Sequence, residues 1–210
     1  MRISFRYKFV FISKYKCAST SIRRALTPFS DVLSTQEAPT YHHSTLADAE
    51  RYILSDRGES LDAYFVFTTV RHPTAMLSSL YAYGHPDKSG YYWWDRQWDR
   101  VRLGHVVPKS ERAAECPVPF REWILEHDLS RFALDPFIRD LNGRVRANCI
   151  LRVESLASEF PRVTERLGLG RVDLPHINIG SPQGHWFDQA MQDRVQEIFR
   201  SDLEFGRYRI

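Results

Sequence analysis

FVFISKYKCASTSIRRAL, residues 9–26, places a buried strand, a short polar loop and the start of a helix in immediate succession. The apolar run ends at Ser13, and helical spacing begins after a loop of small and hydroxyl residues. Free backbone N–H groups and the positive end of the helix dipole then point toward one place, where Lys16 adds a full positive charge. The segment therefore predicts a site for a phosphate-bearing ligand.

The loop differs from that of nucleoside triphosphatases, which has the pattern Gly-x-x-x-x-Gly-Lys-Ser/Thr. Here Lys16 precedes Thr20 by four positions, and the loop contains no glycine. It resembles instead the 5′-phosphosulfate loop of sulfotransferases that use 3′-phosphoadenosine 5′-phosphosulfate (PAPS), with the pattern Pro-Lys-x-small-small-Thr-Ser. The matching positions are Lys16, Ala18, Ser19, Thr20 and Ser21, while Tyr15 stands where the family has proline.

That resemblance implies that Lys16 and the residues from Cys17 to Ser21 bind the 5′-phosphate of PAPS. The alternative interpretation is an ordinary capped helix after a strand, with Lys16 merely exposed.

A second anion-binding element follows a second strand. Residues 64–70 are apolar and β-branched and end at Arg71, and a helical pattern begins at Pro73. Arg71 is therefore expected at the carboxyl end of a strand, where open α/β sheets bind ligands. Arg71 and Ser79 resemble the family's 3′-phosphate site, in which a guanidinium and a hydroxyl hold a phosphate monoester; His72 replaces its acidic or amide residue. The alternative is an arginine paired with a carboxylate at the sheet edge.

Shorter motifs in the family's order extend the resemblance along most of the chain. They are Tyr41-His42-His43-Ser44-Thr45, Pro119 to Ile124, Ile150 to Leu156, Leu174 to Asn178 and Asp202 to Tyr208. The resemblance implies transfer of a sulfuryl group from PAPS to an acceptor hydroxyl, on a carbohydrate or a small metabolite, with 3′-phosphoadenosine 5′-phosphate (PAP) as product.

The resemblance also implies the catalytic roles. Lys16 would neutralise charge on the leaving 5′-phosphate oxygen. His43, which matches the histidine of the family's His-x-Thr segment, would take the acceptor's proton. His42 is the alternate base, because a shift of one residue in the match would exchange the two. This scheme requires no metal.

Alternating elements predict the fold independently of any motif. Strand patterns at residues 6–12, 64–70 and 147–153 are each followed by a helical pattern, and residues 188–203 predict a last amphipathic helix. Such alternation predicts an α/β fold with a parallel sheet covered on both faces. With the resemblance, it implies one domain over residues 1–210 with a three-layer α/β/α, P-loop-like sulfotransferase fold.

The segment 84–117 has no counterpart in the family pattern. Its tyrosines and tryptophans at residues 91–98 predict an acceptor-binding lid, because aromatic faces stack on sugars and other flat groups. The alternative is a helix whose aromatic side chains pack on the core or on a subunit partner.

Composition limits the functional classes. The net charge of +3 suits a small anionic ligand and falls short of a nucleic-acid-binding stripe. No run approaches the roughly 18 apolar residues of a membrane helix, and the apolar residues 9–12 are too few for a signal peptide, so a cytoplasmic location is expected.

The three cysteines, Cys17, Cys116 and Cys149, have neither disulfide nor metal-ligand spacing. At a helix start beside Lys16 the Cys17 thiol could become acidic, although a small loop-filling residue is the favoured interpretation.

Two other functions stay open. A small nucleotide kinase of related architecture is disfavoured by the absence of Gly-Lys-Ser/Thr and of a clear aspartate for magnesium. A non-catalytic PAP-binding scaffold is disfavoured by the joint presence of Lys16, Arg71, Ser79 and His43. The oligomeric state has no sequence signal.

Overall fold

The computed structural model describes residues 1–35, 41–83, 119–175 and 185–210. Their strands are β1 (Arg2–Ser4), β2 (Phe9–Ile12), β3 (Val32–Leu33), β4 (Phe65–Val70) and β5 (Cys149–Arg152). Their α-helices are α1 (Ser19–Leu26), α2 (Leu46–Ala49), α3 (Pro73–Tyr83), α4 (Phe120–Glu126), α5 (Asp135–Ile138), α6 (Leu156–Arg166), α7 (Gln189–Ile198) and α8 (Arg200–Gly206). Single 3₁₀ turns lie at Thr27–Phe29, Ser55–Arg57, Leu61–Ala63, Ser130–Phe132 and Val153–Ser155, and a π-helical segment, Glu50–Leu54, continues α2.

The α/β class is confirmed, but the five-stranded sheet is mixed rather than parallel. Its strand order is β3-β1-β2-β4-β5, and β2, β4 and β5 are parallel neighbours, whereas β1 runs antiparallel to both β2 and β3. Only residues 5–8 separate β1 from β2, with Lys8 in the left-handed region at φ 50°. A parallel connection needs about a dozen residues or more, so this short link forces a hairpin. The prediction of a strand over residues 6–12 was therefore too long at its start.

Helices cover both faces of the central strands. Successive side chains of a strand point to opposite faces, so Phe9 and Phe11 lie on one face and Val10 and Ile12 on the other. The first pair packs with α1 and α6, and the second pair packs with α2. All four side chains are fully buried, which explains why β2 has a continuous apolar sequence.

The predicted helix over residues 188–203 is two helices, α7 and α8. Asp188 caps α7, because its carboxylate accepts a hydrogen bond from the Met191 N–H at 2.9 Å. Phe199, fully buried, leaves the helical conformation at φ −103° and ψ 28° and separates the two helices. The break lets α8 bring Asp202 into the protein core. None of the described helices is long and apolar enough to cross a membrane.

Candidate functional site

The loop between β2 and α1 contains two non-glycine residues in the left-handed region. Lys16 and Ala18 both lie in the left-handed region, at φ 54° and 56°, and Ala18 directly precedes the first residue of α1. This conformation costs a non-glycine residue roughly 1–2 kcal/mol, so the surrounding contacts must enforce it. Left-handed residues beside helical ones turn successive N–H groups toward one point and form anion-binding concavities. The two left-handed residues are compatible with an anion-binding loop, and the binding itself stays a prediction.

The three hydroxyls at the start of α1 are not equivalent. The Ser19 hydroxyl donates to the carbonyl oxygen of Lys14 and so closes the loop on itself. Ser21 is buried, whereas Thr20 is exposed, with its Oγ1 3.5 Å from an Arg23 guanidinium nitrogen. Thr20 is consequently the most accessible hydroxyl for a ligand held by the loop.

A buried ion pair beneath the loop was missed by sequence reasoning. Lys14 and Asp202 are both fully buried, with the lysine Nζ 2.7 Å from the aspartate Oδ1. The other aspartate oxygen, Oδ2, accepts a hydrogen bond from the Leu134 N–H at 2.7 Å. Burial alone lowers the pKa of Lys14, but Asp202 and the Cys17 sulfur, 3.9 Å away, outweigh it and raise the pKa above its usual value. The pair fastens α8 to the underside of the loop.

The sequence does not predict burial of Lys14, because a lysine after an apolar strand is usually exposed. The one indication in the sequence is Asp202, an acidic residue of the motif Asp202 to Tyr208 that needs a cationic partner if it is buried.

Cys17 is a core residue of the loop. It is fully buried, and its carbonyl oxygen accepts a hydrogen bond from Thr69 Oγ1 of β4 at 2.7 Å. Burial raises the pKa of the Cys17 thiol to about 11, although the nearby charges of Lys14 and Arg71 act in the opposite direction. The expectation that this thiol could be acidic is therefore wrong, and the interpretation of Cys17 as a small loop-filling residue agrees with the structure.

Arg71 lies at the same sheet edge as the loop. The parallel strands β2 and β4 are direct neighbours, with Ile12 opposite Thr68, so Ser13 and Arg71 both follow the carboxyl ends of adjacent strands. The Arg71 charge also acts on the Cys17 thiol, as noted above. Within the described ranges no carboxylate lies within ion-pair distance of Arg71. Ser79, the second predicted 3′-phosphate ligand, is half-buried on α3.

His72, the departure from the family pattern, holds the carboxyl-terminal segment. Its backbone N–H donates to Glu154 Oε1 at 2.9 Å, and its Nε2 lies 3.0 Å from the Arg209 carbonyl oxygen. The Tyr208 hydroxyl donates to the other oxygen of Glu154. His72 and Glu154 thus both hold the carboxyl-terminal segment of the chain.

His43 is attached to the loop by two contacts. Its Nδ1 lies 2.7 Å from the carbonyl oxygen of Ser13, and its ring stacks on Tyr15 with 3.9 Å between centroids and 20° between planes. A carbonyl only accepts hydrogen bonds, so Nδ1 carries the proton and Nε2 is the basic nitrogen. Burial lowers the pKa of His43 to about 3, against the opposing effect of the Ser13 carbonyl. The ring is therefore neutral at neutral pH.

His42 has a different environment. Its Nδ1 lies 2.9 Å from the Ser34 hydroxyl, next to β3, and burial followed by the Arg23 charge lowers its pKa to about 4. The following residues explain the local turn: Thr45 and Asp48 form a reciprocal capping box that starts α2. Of the two candidate bases, His43 is the one that contacts the loop between β2 and α1.

A cavity of about 800 Å³ lies elsewhere, between α6 and residues 168–174. Its lining includes Phe160 and Leu174 but none of the predicted site residues. Segment 84–117, with the aromatic residues 91–98 and Cys116, lies outside the described residues, as does the turn at residues 176–178. In the described part of the chain no cluster of His, Cys, Asp and Glu could hold a metal ion.

No protein-family model matches this chain, and no curated protein matches it either.

Proposed function

We propose that this chain is a PAPS-dependent sulfotransferase that moves a sulfuryl group to an acceptor hydroxyl and releases PAP. The observation that carries the proposal is the position of two cationic elements, the Lys16 loop and Arg71, after neighbouring parallel strands at one sheet edge. PAPS carries phosphate groups at both its 5′ and 3′ positions and so suits two such elements. A P-loop-like three-layer fold is part of the proposal, supported by parallel β2, β4 and β5 with α1 and α6 on one face and α2 on the other.

Each residue then has a defined role. The backbone amides after Lys16 and the exposed Thr20 hydroxyl hold the 5′-phosphate, while Arg71 and Ser79 hold the 3′-phosphate. During transfer the bond between sulfur and the 5′-phosphate oxygen breaks and a bond between sulfur and the acceptor oxygen forms. Lys16 neutralises the charge that develops on the leaving oxygen, and the acceptor's proton goes to Nε2 of His43. By analogy with phosphoryl transfer, the protein mainly positions groups and stabilises charge.

The low pKa of His43 has a consequence for this role. A histidine with a pKa of about 3 is a weak base in the unliganded protein. The negative charges of bound PAPS favour the protonated form of a nearby imidazole and raise its pKa. His43 therefore becomes an effective base only when the donor is bound.

Nucleotide binding followed by transfer is the experiment that tests the proposal. Calorimetry should show that PAP binds without magnesium and that ATP does not compete, while Lys16→Ala and Arg71→Ala each weaken PAP binding by roughly 10–100-fold, as expected for a charge-assisted contact. Radiolabelled PAPS offered with carbohydrate and metabolite pools should then label an acceptor.

The alternatives give different results. Magnesium-dependent binding of ATP would favour the nucleotide kinase. PAP binding with no labelled product from any pool would favour the non-catalytic scaffold. A cytoplasmic location belongs to the proposal because PAPS is made there.

A further inference from the structure

Two arginines beside the loop between β2 and α1 have no acidic partner among the described residues. Arg23 lies on α1 one turn after Thr20, and Arg2 lies on β1 with its Nε 3.2 Å from the Arg23 carbonyl oxygen. Arg2 also donates to Ser34 Oγ at 3.0 Å and to Thr27 Oγ1 at 3.3 Å. All of these acceptors are uncharged. Among the described residues no aspartate or glutamate lies within ion-pair distance of either guanidinium.

Arg23 is also incompletely hydrogen-bonded. One guanidinium nitrogen, Nη1, is buried without a hydrogen-bond partner among the described residues. Burial lowers the pKa of Arg23, and it lowers the pKa of Arg2 to about 10, with the Arg23 charge adding to the effect. Partly buried like charges without a counterion are costly, and buried charges in proteins are normally paired. Within the described part of the chain, the two guanidiniums therefore lack an anionic partner.

The strand order places this pair of arginines on the side of the loop away from Arg71. In the strand order β3-β1-β2-β4, Arg71 follows β4. Arg2 lies on β1 opposite Phe11, and so on the other side of β2. Arg2 donates to the Ser34 hydroxyl, which lies 2.9 Å from His42 Nδ1, so the arginine pair is next to the segment that contains the candidate base. In the proposed function the loop and Arg71 bind the phosphates of the donor, so the arginine pair is available to bind the acceptor.

We propose that Arg23, oriented by Arg2, binds an anionic group of the acceptor, a carboxylate or a sulfate. This inference rests on the proposed function and narrows its acceptor class to acidic molecules. A planar guanidinium matches the two oxygens of such a group in a bidentate contact. The anion would take up the unpartnered N–H of Arg23 and neutralise the repulsion between the two arginines.

The test compares Arg23→Gln with Arg24→Gln, which removes the same charge from the neighbouring, exposed position of α1. Thermal unfolding is measured with saturating PAP, in sodium sulfate and in sodium chloride of equal ionic strength. Sulfate stabilises proteins in general through exclusion from their surface, and that effect is common to all variants. Specific binding should add a rise in Tm of roughly 3 °C to wild type and Arg24→Gln, and none to Arg23→Gln.

A second comparison guards against a folding defect. In chloride alone, Arg23→Gln should be at least as stable as wild type, because it removes an uncompensated charge. A clear loss of stability there would mean that Arg23 is structural, and an equal sulfate response in all three proteins would also overturn the inference.

The donor site is tested separately with PAP. If Arg23→Gln loses PAP affinity while wild type binds it, Arg23 belongs to the donor site and the inference is wrong, although the proposed function stands. If wild type itself ignores PAP, the proposed function fails and this inference fails with it.

Discussion

Replacing Asp202 by asparagine should destabilise the protein severely while keeping its shape. The substitution preserves volume and an acceptor oxygen for the Leu134 N–H, but it removes the charge 2.7 Å from Lys14 Nζ. Both side chains are fully buried, so no water can replace the lost partner. Breaking a buried pair in this way costs roughly 3–5 kcal/mol. For a chain of 210 residues, where 1 kcal/mol shifts Tm by about 2–4 °C, we expect a fall of roughly 6–20 °C.

Thermal and urea unfolding of a double-mutant cycle would measure the coupling. In a Lys14→Met background Asp202 is the buried charge left without its partner, and Asp202→Asn removes that charge. The substitution should therefore cost much less there than it does alone. Lys8→Met, which breaks the exposed pair between Lys8 and Glu59 at 2.6 Å, is the matched control and should leave Tm almost unchanged. If Asp202→Asn costs the same in both backgrounds, or no more than the control, the buried pair does not stabilise the fold and this reasoning is refuted.

Three further predictions concern the site. His43→Ala should lower kcat by roughly 10²–10⁴-fold with PAP affinity nearly intact, whereas His42→Ala should lower kcat less than about tenfold; the reverse order would make His42 the base. Acid should destabilise the protein below about pH 6.5. The folded pKa values of His43 and His42 are about 3 and about 4, below the unfolded value of 6.5, so the unfolded chain binds more protons in this range. For His43 the loss reaches up to roughly 1.4 kcal/mol per pH unit, and His43→Gln should flatten urea midpoints measured from pH 7 to pH 4; an unchanged slope would show that His43 does not titrate in this way. Cys17 should resist alkylation in the native protein at pH 8 and react only after unfolding, because its thiol is fully buried with a pKa of about 11; rapid native labelling, resolved by peptide mapping, would contradict that environment.

The sequence predicted the strands and helices that are determined by neighbouring residues along the chain. An apolar run followed by hydroxyl residues and helical spacing is sufficient to define β2, the loop and α1, and the run before Arg71 defines β4 and α3. Parallel pairing of these two strands was also predicted, because strand–helix–strand connections produce it. The meeting of the Lys16 loop and Arg71 at one edge follows from those local patterns.

Tertiary structure alone decided how the loop is held and which charged side chains of the described residues meet. Lys14 meets Asp202 from near the opposite end of the chain, and the Ser13 carbonyl meets His43. Arg2 and Arg23 come together without a carboxylate between them in the described part of the chain. Local residue patterns encode propensity and periodicity, whereas burial and charge pairing depend on which distant segments pack together. That packing is why the same residue type, lysine, is a fully buried tether at position 14 and a candidate ligand-binding cation at position 16.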